Sequence, residues 1–144
     1  MPLNTELLTS SFDLLQARKL EFSDMFYQTL FADYPEVQPL FIHVDMEEQP
    51  KKLFASLVLV VNNLTKPDTL TNALKGLGTR HVKYGVIPSH YPMVGGTLIK
   101  TMATTLGDSW TAEVESAWID AYSALTEIML DGLEYPKETL TLAV

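Results

Sequence analysis

An all-α fold is what this sequence predicts, on three observations. Apolar residues recur at threes and fours through most of the chain, and proline and glycine fall where those stretches stop. No two segments alternate in the way a pair of strands requires. About seven helices are expected, forming one domain over 1–144 with a sizeable core, 47% of the residues being apolar.

In chain order, Leu7, Leu8, Phe12 and Leu15 give the first helix its buried face, with Asn4 or Thr5 as N-cap. Leu20, Phe22, Met25, Phe26 and Leu30 give the second, which should stop at Tyr34-Pro35 because a residue before proline avoids the helical region. A short third helix fits Pro35 to Phe41, with proline in its first turn. Residues 47–64 read as a fourth, although Ser56-Leu57-Val58-Leu59-Val60-Val61 taken alone looks equally like a strand. Lys66-Pro67-Asp68 marks a turn, and Leu70, Leu74, Leu77 and His81 then share one face of a short helix ended by Gly85 and Pro88. Pro88-Ser89 opens a helix through Leu106. Thr111 caps the last, with Glu113 and Glu115 suited to its dipole and Trp118, Tyr122, Leu125 and Met129 as its buried stripe. After Tyr135-Pro136 there is no pattern, and the tail is expected to fray.

Composition excludes several function classes. Without cysteine there are no disulfides, thiolate metal sites, iron–sulfur clusters or thiol catalysis. A net charge of −8 with no Lys/Arg cluster argues against nucleic acid and anionic membrane as partners. Glu6 and Asp13 stand where a signal peptide needs positive charge, and the longest apolar stretch, Leu53 to Val61, is far short of the roughly 20 residues that span a bilayer. A cytoplasmic location is the expectation.

The residues with most chemical promise lie in the pattern Leu-Gly-x-Arg-His-x-x-Tyr-Gly-Val from Leu77 to Val86, followed by His90-Tyr91. It places His81 in the last turn of one helix and an aromatic in the first turn of the next. Ahead of it come Phe26-Tyr27, Pro39-Leu40-Phe41 and Glu48-Gln49-Pro50-Lys51-Lys52-Leu53. Each alone is bland: a lone histidine is more often a surface residue than a ligand, and Tyr27, Phe41 and Gln49 read equally well as core or solvated residues.

Together, in this order and spacing, they closely resemble single-domain bacterial globins and the globin half of flavohaemoglobins, over roughly residues 5 to 132. The resemblance implies haem b as cofactor and His81 as the proximal iron ligand, its second ring nitrogen bonded to a carbonyl near Leu77. It implies that Leu77 packs on the porphyrin face, that Val86 touches the ring edge and that Tyr91 lies against His81. On the distal side, Phe41 would pack on the haem plane and Leu53 would wall the pocket. Tyr27 and Gln49 would be the polar pair facing bound gas; four residues separate Gln49 from Leu53, which puts both on one helix side. Arg80 and Lys52 are candidates for the haem propionates, with solvated surface charge as the plain alternative. His43 and His90 are read as non-ligands.

What such a pocket would do follows from charge. A phenol O–H in a dry site favours a ligand that gains negative charge, such as O2, over nearly neutral CO. The expectation is a tight O2 binder that also takes NO and CO, with oxidation of NO to nitrate as the enzymatic extension. With Val144 as the last residue no flavin or nicotinamide domain is expected, so turnover calls for a separate reductase. A gas sensor read by a partner protein is the alternative, and a haem-free helical module a third. Oligomeric state is open. One departure stands out. The family places a glutamate on the last helix that polarises the proximal histidine; alignment through Ala117-Trp118 and Ala121-Tyr122 puts Leu133 there, with Glu134 beside it. Either the helix is shifted by one residue or that acid is absent; without it the imidazole is less anionic, and peroxidase-like or strongly dioxygenase-tuned chemistry is disfavoured.

Overall fold

The computed structural model describes residues 3–131. Among them are six α-helices: α1 (Thr5–Gln16), α2 (Lys19–Asp33), α3 (Gln49–Asn62), α4 (Pro67–Lys83), α5 (His90–Leu106) and α6 (Ala112–Leu130). Two 3-10 segments join them, at Pro35–Phe41 and Gly107–Ser109, and the described residues contain no strand. The strand-like run Ser56 to Val61 lies inside α3. Its β-branched residues pay a small helix penalty that packing overrides: Val58 and Val61 lie on the main core, and Val60 is buried with Leu70 and Leu74. The helix that carries His81 is not short, since α4 runs 17 residues from Pro67.

Caps set the boundaries. Asn4 Oδ1 accepts from the Leu7 amide at 3.1 Å, and Thr111 Oγ1 from that of Val114 at 3.2 Å. At the other end of α4, the Gly85 amide donates to Val82 and the Val86 amide to His81, both in the pattern of a Schellman motif. Gly85 sits at φ +90°, a conformation that suits glycine alone.

The main core collects Leu8, Phe12, Leu15, Phe22, Phe26, Leu30, Phe54, Met102 and Trp118 from α1, α2, α3, α5 and α6. Phe12 stacks on Phe54 at 5.1 Å, and Trp118 Nε1 donates to Ser11 Oγ at 2.9 Å, so this buried indole is satisfied. A smaller cluster, Val60, Leu70 and Leu74, seats α4 against Leu125, Ile128 and Met129 of α6. The two helices nearly touch there: a Cβ on Gly78 would stand 2.1 Å from the Met129 carbonyl oxygen. α6 also holds α5, because Gly95 admits the Tyr122 ring (2.4 Å to a Cβ placed there) and Tyr122 Oη donates to the Tyr91 carbonyl at 2.6 Å. α2 crosses α5, which buries Thr97, Thr101 and Thr105. The first two satisfy their hydroxyls on carbonyls of their own helix, so little polar group is left stranded.

Candidate functional site

Two groups of side chains make up the site, one on α2, α3 and the 3-10 helix, the other on α4 and the start of α5. In the first, Tyr27 sits buried in mid-α2 and half-buried Gln49 opens α3. Gln49 Nε2 donates to Tyr27 Oη at 3.1 Å. The phenol oxygen is therefore the acceptor in this pair, and its own proton remains available to a third group. Burial pushes the Tyr27 phenol above its ordinary pKa, partly offset by Gln49, so it keeps that proton at neutral pH. Phe41, at the end of the 3-10 helix, sets its ring 5.7 Å from Tyr27 and 5.2 Å from Phe31. Leu53, one turn after Gln49, is half-buried on the main core.

In the second group His81 Nδ1 lies 2.8 Å from the Leu77 carbonyl oxygen. A carbonyl only accepts, so Nδ1 carries the proton and Nε2 is left with its lone pair. Burial lowers the pKa of the imidazole; the Leu77 carbonyl opposes this and the Arg80 charge adds to it. A neutral, singly protonated imidazole is the form a metal takes. The Tyr91 ring is buried with its centroid 6.3 Å from that of His81. Val86 is tied to His81 through its amide, at 3.0 Å from the His81 carbonyl oxygen. Leu77 and Val86 are half-buried yet belong to neither hydrophobic cluster of the described residues.

Arg80 and Lys52 are exposed, and neither forms an ion pair with a described residue. The Lys52 side chain has no ion pair or hydrogen bond to another site residue among the described residues, whereas the Arg80 charge reaches the neighbouring His81. His43 is exposed, while His90 Nδ1 accepts from the Ile87 amide at 3.2 Å, which ties the first residue of α5 to the turn before it. No group of three or more His, Cys, Asp or Glu among the described residues is arranged to hold a bare metal ion. Leu133 and Glu134, where the family's acid would fall, lie outside the described residues, as does the tail from 136.

Four participants were not singled out from sequence as part of the site. Phe31 completes the aromatic group around Tyr27, Tyr84 lies 6.1 Å from His81 ring to ring, Leu40 meets Gly85, and Tyr122 holds Tyr91. The first two were accessible from helical spacing, being four residues after Tyr27 and three after His81. The last two are long-range contacts with no local signal.

These features match a family. A globin family profile covers residues 24–129, and the chain belongs to the globin family. Among its relatives, a Burkholderia flavohemoprotein is 30% identical over 142 residues, 94% of this chain but 36% of that protein. A Rhizobium meliloti flavohemoprotein is 35% identical over 76% of this chain and 27% of its own length. The chain thus spans about a third of these curated relatives. An Aquifex aeolicus globin-like protein is 31% identical over 86% of this chain and 87% of its own. Among solved structures, a Campylobacter jejuni globin superposes with TM-score 0.75 at 27% identity, covering 88% of this chain and 91% of the other. An engineered carbene transferase, derived from a Rhodothermus marinus protein provisionally designated a nitric oxide dioxygenase, gives 0.77 at 29% identity, covering 87% of each. No helix among the described residues is long and apolar enough to cross a membrane.

Family membership implies haem, and the residues fit one. The apolar side chains of Leu77 and Val86 outside both cores, an imidazole with Nε2 free, and a separate polar pair at Tyr27 and Gln49 are the surroundings that a flat, apolar, iron-bearing ring requires.

Proposed function

We propose that this chain is a haem b globin that binds O2 tightly and oxidises NO to nitrate when a separate reductase supplies electrons. The single observation that carries the reading is the Gln49 Nε2 to Tyr27 Oη hydrogen bond, 3.1 Å long.

In this reading His81 holds the group through Nε2, with Leu77, Val86, Tyr91, Phe41 and Leu53 enclosing it and Lys52 available to its carboxylates. When bound, the haem supplies an iron that takes diatomic gases and exchanges single electrons. The protein's part is orientation and charge. The Leu77 carbonyl fixes the His81 tautomer, and the Tyr91 ring limits rotation of the imidazole. Gln49 occupies the Tyr27 oxygen, which turns the phenol proton toward the gas. That proton stabilises a ligand that gains negative charge, so O2 is retained and CO is not favoured. Burial of Tyr27 keeps water from competing for the same proton.

The test is stopped-flow displacement of O2 from the ferrous protein. Tyr27→Phe is expected to raise the O2 dissociation rate on the order of tenfold to a hundredfold, the equivalent of a charge-assisted hydrogen bond. CO dissociation should barely change. An unchanged O2 rate would refute the polar-pair account. Nitrate yield from NO, O2 and an added reductase tests the enzymatic half.

A further inference from the structure

Charge is unevenly distributed along this acidic chain. Residues 69–107 contain no Asp or Glu, and carry Lys75, Arg80, Lys83 and Lys100, a formal +4 against −12 for the remainder. Lys75 and Lys100 are compensated by Asp131 at 3.7 Å and Asp33 at 2.9 Å. Arg80 and Lys83 have no ion-pair partner among the described residues, and both are exposed in the last turn of α4. The charge of Glu36 also reaches this stretch, at His90.

The two most exposed large apolar side chains of the described chain lie at the same corner. Ile42 is 76% and Tyr84 62% exposed. They stand two residues and one residue from the contact where Leu40 would meet a Cβ of Gly85 at 3.3 Å. Although exposed, the Tyr84 ring lies 6.1 Å from that of His81. A basic rim unpaired among the described residues, around an exposed aromatic beside the proposed iron ligand, has the composition of a transient redox interface.

We propose that the α4–α5 corner, with Tyr84 and Ile42 at its centre and Lys83 and Arg80 on its rim, is the docking surface for a protein electron donor with an acidic face. This rests on the haem-globin reading for the donor's role. Opposite charge steers the encounter, and the apolar pair supplies the short-lived contact. The last described residue, Asp131 just after α6, meets Lys75, nine residues before Tyr84.

The test uses the full chain, with and without bound haem, and a flavodoxin as the acidic probe. Binding is followed by calorimetry and by amide chemical shifts at low and high salt. The wild type should bind at low salt, and Lys83→Glu should weaken binding about tenfold, an effect that fades at high salt. Tyr84→Ser and Ile42→Ser should weaken it at both. Lys66→Glu, about 25 Å away at the other end of α4, should bind as wild type. The proposal is overturned by absence of flavodoxin binding, by equal losses for Lys66→Glu and Lys83→Glu, or by self-association that Ile42→Ser abolishes, which would make a second copy the occupant. Failure of the globin reading shows separately, as no haem uptake in a protein whose apo form still binds the probe.

Discussion

The Tyr27 phenol and the His81 imidazole both owe their chemistry to who accepts and who donates. Gln49 fills the Tyr27 oxygen, and the Leu77 carbonyl claims the Nδ1 proton of His81, so each ring is left with one usable function. Because burial raises the Tyr27 pKa above the ordinary phenol value of about 10, the donor form persists through neutral and mildly alkaline solution. The O2 dissociation rate should therefore stay flat from about pH 6 to 9 and climb only where the phenol loses its proton. A rise near neutral pH in a stopped-flow profile would contradict this. His81→Ala should abolish or re-ligate the Soret band of the reconstituted protein, which an absorption spectrum with dithionite and CO reads directly. The i,i+4 relations of Gln49 with Leu53 and Leu77 with His81 were legible because a helix makes them local. The Tyr27–Gln49 bond spans 22 residues, and from sequence only the family pattern brings its partners together.

Among elements, α4 and α3 show where local rules fail. By the Lys66-Pro67-Asp68 turn signal α4 should start after that turn, yet the helix takes in Pro67 and runs to Lys83. Gly78 is tolerated there since any side chain would strike the Met129 carbonyl. Gly78→Ala should force α4 and α6 apart and cost about 3 kcal/mol, measured as a shift of the urea midpoint. Ser11→Ala is milder. It strips the acceptor from the Trp118 indole, a buried N–H, and should cost about 1–3 kcal/mol with haem uptake unchanged. α3 resolves the opposite ambiguity: Ser56 to Val61 has strand-like composition but no partner edge, and its valines are satisfied on the core.

Across the whole molecule, the helix order and nearly all boundaries followed from periodicity, proline placement and caps. The proposed docking corner did not, because it arises from missing acids rather than gathered bases, and because Leu40 and Gly85 are 45 residues apart. α6 acts as a strut. It is pressed against α4 at Gly78 and against α5 at Gly95, and these two helices carry His81 and Tyr91. A frame braced at both crossings resists sliding of one helix past another, the kind of shift by which a sensor reports its ligand. Events on the gas side should leave α4 and α6 where they are, with amide exchange along both helices the same in CO-bound and ligand-free ferrous protein. On the proposed reading, a gas held at Tyr27 would have little means of announcing its presence at a distance.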